Sequence, residues 1–249
     1  MKITVCMCRV PDTATRIVIA ASGTSIETQG VQYIVNPFDE FALEEAIKLK
    51  EKAPGSTVTV FTVGKDDAQK DLKTALAKGA DAAVIIKADG ALDASAVARL
   101  LADAITAAGG TDAVWCGKQS VEDDAAAVGP MLAALLDLPC VTRLVGFESD
   151  GATFKATREI EGGREEIGGA FPCVFTADKG LNKPRQAGLK EIMAAGKKPL
   201  TSTTGTAAAA TVVVGMAPPA ERPAGRIVGN GAAAVAPVID LLRNESKVI

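Results

Sequence analysis

Through the first 137 residues, short runs of β-branched and other apolar residues alternate with longer stretches whose apolar positions recur every three or four residues. Residues 2–8 (KITVCMC), 57–63 (TVTVFTV), 83–86 and 113–116 show the first pattern and are expected to be strands. Residues 38–52, 66–78, 93–108 and 122–137 show the second and are expected to be helices. The first helix carries clear start signals: Asn36 is a candidate N-cap, Pro37 takes the first helical position, and Asp39 and Glu40 place acid in the first turn. Phe38, Ala42, Ala46 and Leu49 then form a stripe expected to be buried, with Glu44 and Lys48 paired on the exposed side. Strands and helices alternating in this way predict an α/β fold, a mostly parallel sheet with helices on both faces.

Beyond residue 137 the pattern becomes β-rich. Residues 140–147, 153–160 and 165–169 are expected to be antiparallel strands, turned by Ser149-Asp150-Gly151 and by Gly162-Gly163, and 172–176 is a further short apolar run. Residues 177–200 are irregular and basic, a surface loop leading into a short helix. TSTTGTAAAA, residues 201–210, has the composition of a linker. A strand at 211–215 and a helix at 231–244 complete the chain. This tail is too small to bury its own apolar residues and is expected to pack on the rest of the chain or on a partner subunit. At 249 residues the chain is longer than a usual single domain. The division expected is one α/β domain over residues 1–200 and a linker with a C-terminal arm over 201–249.

Composition narrows the chemistry. With 48% hydrophobic and 23% charged residues there is material for a large core, and disorder is excluded. Histidine is absent, which removes Ser-His-Asp and Cys-His catalysis and His-ligated zinc or haem from consideration. Aromatics at 4% do not make a base-stacking platform, and a net charge of -3 offers no basic field for a phosphate polymer, so nucleic acid is not an expected partner. The five cysteines, Cys6, Cys8, Cys116, Cys140 and Cys173, include no C-x-x-C pair, and four lie in or beside apolar runs; they are read as reduced thiols of a cytoplasmic protein. No leader-like segment and no apolar stretch of membrane-spanning length is evident, so no membrane insertion is expected.

Three stretches could carry a ligand. VNPFDEFALEEA, residues 35–46, is a strand end feeding a helix N-terminus at the carboxyl edge of a parallel sheet, where α/β proteins bind nucleotides, although spacing alone does not separate it from an ordinary capped helix. CGKQSVEDDAAAVGP, residues 116–130, ends a strand, turns at Gly117, offers Lys118 and Gln119 as donors, and is expected to begin a helix near Glu122. Backbone amides and a helix dipole there suit a phosphate, while Glu122, Asp123 and Asp124 would satisfy the same dipole unaided. Neither GxxxxGK[ST] nor a GxGxxG before a helix occurs. TREIEGGREEI, residues 157–167, is a diglycine hairpin whose charges fit a solvated edge.

Taken together, the succession CRVPDT, NPFDEFALEEAIKLKEK, LKTALAKGAD, CGKQSVEDD, REIEGGREE followed by PCVFTA, and LNKPR before LKEIMAAGKKPL resembles the β subunit of electron transfer flavoproteins, from Met1 to about Leu200. Residues 156–176 are the most diagnostic, with Phe175 standing where the family usually has an aliphatic residue. The last fifty residues resemble the family's C-terminal arm in outline. The resemblance implies an adenine-nucleotide-binding, Rossmann-like fold of the HUP type with a small antiparallel β portion and an extended arm. It implies an electron carrier, not an enzyme, working as a heterodimer with an α subunit that holds the redox-active FAD. Electrons would pass from acyl-CoA or other flavin-dependent dehydrogenases to a downstream acceptor, with AMP as a structural nucleotide in this chain.

The family's nucleotide pocket corresponds to Cys6, Asn36, Pro37, Phe38, Asp39, Val63, Gly117, Lys118, Gln119, Ser120, Val121, Glu122, Asp123, Asp124, Ala125, Ala126, Ala127 and Val128. The family usually carries Asn-Gln or Ala-Gln where this chain has Ala126-Ala127, so a phosphate-directed amide is missing; backbone amides and Lys118 then carry the site, or it binds weakly or not at all. Electron-bifurcating relatives hold a second FAD in this pocket and oxidise NADH, and VGP at 128–130 is similar to that branch, whereas NPFDEFA is more similar to the AMP branch. Leu189 matches an anchor for client dehydrogenases, and Glu159 matches a carboxylate that meets an Arg of the partner's flavin domain. From another class, the same fold could be a non-redox adenine-nucleotide-binding regulatory module; a nucleotide-dependent transferase or ligase is disfavoured by the lack of a phosphate-gripping loop.

Overall fold

A computed structural model describes residues 1–222 and 224–249. Its centre is a nine-stranded sheet. Strands β1 (Lys2–Cys6), β4 (Thr57–Val63), β5 (Ala82–Lys87), β6 (Ala113–Gly117), β7 (Cys140–Ser149), β8 (Thr153–Ile160), β9 (Gly163–Ala170), β10 (Cys173–Ala177) and β11 (Leu200–Thr204) lie in the order β11-β5-β4-β1-β6-β10-β7-β8-β9. All neighbours from β11 to β7 pair in parallel, and β8 and β9 extend the sheet antiparallel. A separate antiparallel ribbon joins β2 (Arg9–Pro11) to β3 (Tyr33–Val35). The α/β architecture expected from the alternating pattern is therefore present.

The strand sequences explain the two-faced core. Side chains alternate across a strand, and Ile3, Val5, Val58, Val60, Ala113, Trp115, Cys173 and Phe175 point into one apolar cluster with α1 (Pro37–Lys52) and α2 (Gln69–Lys78). Their neighbours Cys6, Phe61, Val114, Cys116 and Val174 enter a second cluster with α3 (Ala94–Ala107) and α4 (Val128–Leu136). Near-continuous apolar strands are the signature of a parallel sheet covered on both sides.

Several local expectations change. The first strand ends at Cys6, not residue 8, because the chain leaves the sheet to enter the ribbon. Glu44 is not on an exposed face. It is buried and ion-paired at 2.9 Å with Arg185, which also bonds Glu51, while Lys48 pairs with Glu45 at 3.0 Å. The loop after β10 folds over α1 and turns a solvent face into an interior one, which no local pattern reports. Residues 201–210, read as linker, open with β11 at the sheet edge, in register with β5 from Leu200–Ala83 to Thr204–Lys87. The Thr-rich run that resembles a linker in composition is also strand-forming. Residues 211–215 form no strand.

Five aromatic rings gather where the parallel and antiparallel parts of the sheet meet. Phe175 stacks on Trp115 at 4.7 Å between centroids and meets Phe147 and Phe154 edge-on at 5.1 and 4.9 Å, with Phe171 at 6.0 Å. Phe175 and Trp115 are fully buried. An aromatic at residue 175 thus completes a cluster into which the hairpin β8-β9 is tied.

The chain divides into compact units at 1–214 and 215–249. The first also contains α5 (Leu189–Ala195), which precedes β11; in the second, a helix α6 (Val235–Asn244) has Val235, Val238, Ile239 and Leu242 exposed. No helix among the described residues is long and apolar enough to cross a membrane.

Candidate functional site

A cleft of about 230 Å³ opens at the carboxyl ends of β1, β4 and β6. In chain order the sheet grows outward from β1 through β4 to β5, then returns by α3 to lay β6 on the other side of β1. That reversal of winding leaves a crevice between neighbouring strand ends, the usual ligand position in open α/β sheets.

Asp39, in the first turn of α1, builds the crevice. Its carboxylate is buried; Oδ2 accepts from the Cys8 amide at 2.7 Å and Oδ1 from the Gly117 amide at 2.9 Å, tying the chain beyond β1 to the end of β6. Burial pushes the Asp39 carboxyl up to about 6, against the Cys8 amide, Asn36 and the Gly117 amide, which favour the charged form. Gly117 is required for this approach, since a Cβ there would come within 2.8 Å of the Phe38 Cβ and 2.9 Å of the Asp39 nitrogen. Asn36 does not cap α1 through its side chain as expected. Its Nδ2 donates instead to the Gln119 carbonyl at 2.8 Å, and its Oδ1 is buried without a hydrogen-bond partner beside the cleft. An orphaned buried acceptor at a cleft wall is a place for a ligand N–H or O–H.

The helix after β6 starts at Val128, about two turns later than the expected start near Glu122. The intervening residues hydrogen-bond among themselves: Ser120 Oγ donates to Asp123 at 2.9 Å, the Ala125 amide to the same oxygen at 3.0 Å, and Gln119 Nε2 to Asp124. Such side-chain bonds compete with helix, and Asp124 and Ala126 sit at φ of +54° and +51°, outside it. The later helix start changes the electrostatics. The acidic run does not occupy the first turn, and Ala127, the N-cap, has no side chain able to bond the first amides. The first intrahelical bond comes from Met131 to the Ala127 carbonyl at 3.0 Å, so the preceding helix-start amides have no acceptor within the helix. An uncapped helix N-terminus at a cleft is suited to an anion.

Of the residues assigned from sequence, Cys6, Asn36, Asp39 and Val63 line the cleft, as do Gly117, Lys118, Gln119 and Ser120. So do Glu122, Asp123, Ala125, Ala126, Ala127 and Val128. Pro37, Phe38, Val121 and Asp124 do not: Phe38 packs beneath Lys118, 5.1 Å from its Nζ, and Asp124 faces Gln119. Lys118 is engaged with Asp178 at 3.1 Å. Burial and the neighbouring Asp123 and Asp124 charges raise the Glu122 carboxyl, with burial the larger cause.

The cleft is also lined by Cys116 and Gly129, inside the candidate stretch 116–130, and by residues that no sequence feature assigned to it: Met7, Cys8 and a wall from α3 with Leu92, Asp93, Ala94, Val97 and Leu101. Only Asp93 has a local signature, an acid just before a helix. Burial raises the Cys8 thiol, and Cys116 is raised by its bond with Cys6 and by burial, so both stay protonated and serve as small lining groups. Among the described residues no group of three or more Cys, Asp or Glu is arranged to hold a metal ion.

Two surface residues assigned from sequence lie apart from the cleft lining. Leu189 opens α5 and is 77% exposed, with Ile192 at 55% and Met193 at 73% on the same turn. The preceding loop is held to α1 by Arg185 and by Asn182, whose Nδ2 bonds the Phe41 carbonyl and Glu45 at 2.9 Å, so this apolar turn is presented on a fixed base. Glu159, on β8, meets Arg164 across the hairpin at 3.3 Å, with both side chains exposed, while Arg158 pairs with Glu165.

Residues 23–208 match the family model described as electron transfer flavoprotein domain. The chain is similar over its whole length, at 35% identity, to an electron transfer flavoprotein subunit beta of Bradyrhizobium diazoefficiens, all of which is covered. The subunit beta of Bacillus subtilis is 36% identical, again over the whole of both chains. The human subunit beta is 38% identical over 80% of this chain and 79% of its own.

Proposed function

We propose, from the premise that this chain belongs to the electron transfer flavoprotein family as a β subunit, that it holds AMP in the cleft between β1 and β6. It would pair with an α subunit that carries the redox-active FAD, and the heterodimer would take electrons from acyl-CoA or other flavin-dependent dehydrogenases and deliver them to a downstream acceptor. The flavin supplies the electron chemistry; this chain binds a nucleotide, orients surfaces and contributes an arm.

The observation that carries the nucleotide reading is the uncapped start of α4 at the cleft wall. Ala126 and Ala127 bring no side-chain donor, so phosphate oxygens would be met by main-chain amides and the helix dipole. Asn36 Oδ1 offers an acceptor to the base or sugar. Heating the purified heterodimer and identifying what is released should give one FAD and one AMP per dimer. Two flavins and no AMP would overturn the AMP reading in favour of a bifurcating subunit. A colourless complex that binds nucleotide would overturn the carrier and leave a regulatory module.

The exposed turn Leu189, Ile192 and Met193 is proposed to meet the client dehydrogenase, with Leu189 as anchor. Small interfaces depend on few anchors, so Leu189→Ala should slow flavin reduction by the dehydrogenase about tenfold while FAD content stays unchanged. Equal reduction rates in stopped flow would remove Leu189 from that role. Glu159 is proposed to exchange its pairing with Arg164 for an Arg of the partner's flavin domain; an exposed pair at 3.3 Å contributes little to stability and is readily exchanged.

A further inference from the structure

One carboxylate binds two distant parts of the first unit. Asp93 caps α3, its Oδ1 accepting from the Ala96 amide at 2.9 Å and from Ser95 Oγ at 2.8 Å. Its Oδ2 accepts from the Ala210 amide at 3.0 Å and from the Thr211 amide and hydroxyl, each at 2.9 Å, across 117 to 118 residues of chain. A helix cap needs one oxygen; the second is given wholly to this strap. Upstream of the strap, Gly205 lies so close to α3 that a Cβ would come within 2.6 Å of Leu100 Cδ2, and Ala207 rests on the apolar cluster beneath α3. Downstream, residues 212–214 are exposed, and the second unit begins at Gly215. Asp93 is thus the last polar fastening before the arm, and it also lines the cleft.

We propose that Asp93 is a positioning residue that couples the cleft to the arm, fastening the root of the arm only while its charge is shared among five donors. Released, the strap takes three of those donors away and leaves the carboxylate with its two cap donors and solvent, a freer negative charge at the wall of the cleft. Strapped, the charge is satisfied and the first turn of α3 is fixed. A nucleotide in the cleft therefore favours the strapped state, and by reciprocity the strapped state favours the nucleotide. The coupling rests on the nucleotide reading given under Proposed function.

Two variants of the full heterodimer, stripped of nucleotide and titrated with AMP, separate charge from structure. Thr211→Pro removes two of the three strap donors and leaves Asp93 and its cap of α3 intact; hydrogen exchange at Ala210 should speed up tenfold or more, and AMP affinity should fall about fivefold. Asp93→Ser keeps a helix cap but loses both the reach and the charge; exchange at Ala210 and Thr211 should rise as much, while AMP affinity, with no carboxylate left at the wall to oppose an anion, should fall clearly less than in Thr211→Pro. Unchanged exchange in Asp93→Ser, unchanged AMP affinity in Thr211→Pro, or an equal loss of affinity in both variants would each overturn the coupling while the nucleotide stays assigned to the cleft. Absence of AMP binding by the wild-type heterodimer is a different result, which overturns the nucleotide reading and the coupling with it.

Discussion

Asp39→Ala is expected to lower stability by about 2–6 kcal/mol, because it leaves the buried Cys8 and Gly117 amides without their acceptors, each at a cost of about 1–3 kcal/mol. For a chain of this size that corresponds to a fall in Tm of roughly 5–20 °C. The same change unties the strand ends that frame the cleft, so the variant should also purify without the nucleotide. A variant that keeps full nucleotide content would show that the crevice does not depend on this carboxylate. Asp39 also confers a pH dependence of definite sign. Its folded value of about 6 lies above the ordinary 3.8, so between those values the folded chain holds the extra proton. Through this group, stability increases as pH falls from above 6 towards 4 and is lost as pH rises through 6, by up to about 3 kcal/mol. Unfolding of wild type and Asp39→Asn at pH 7.5 and 5 reads the difference directly: the gap should move in favour of wild type on acidification, and a constant gap would refute the shift.

Phe175→Ala is expected to lower stability by about 3–5 kcal/mol, the range for emptying a buried aromatic site. The position explains the size: Phe175 touches Trp115, Phe147, Phe154 and Phe171, and its loss leaves a void that four rings on separate elements cannot close together. The fall in Tm should exceed 6 °C. Phe175→Leu, which fills much of the volume, should cost under about 1.5 kcal/mol. Because Phe175 is not among the residues that line the cleft, nucleotide content below the transition should be unchanged in both variants. Loss of nucleotide at unaltered Tm would reverse that assignment of roles.

How far each element could be read from sequence follows from the range of the forces that set it. The run Thr57–Val63 is a strand at its expected bounds, and Pro37–Lys52 is a helix starting at the expected proline, because alternation, periodicity and capping act within a few residues. The start of α4 was misplaced because Ser120, Asp123 and Asp124 spend their side chains on a local turn, a choice that residue type alone leaves open. Glu44 has the pattern of an exposed helical residue and becomes buried only because Arg185, 141 residues away, folds onto it.

The sequence by itself determined the α/β class, the two-faced core, the family, and the two segments, 36–39 and 117–128, that reach the cleft. Each of these is written in short-range periodicity or in contiguous motifs. Only the tertiary structure decided that α4 begins uncapped at the cleft, that Asp39 clamps the two segments together, that the start of α3 supplies a further wall, and that Asp93 straps residues 210–211 to that wall. The first turns on a choice among local side-chain bonds that residue type leaves open, and the other three join residues tens to more than a hundred positions apart. Hydrogen bonding at that separation depends on where the sheet places strand and helix ends, and no local pattern of residues encodes it.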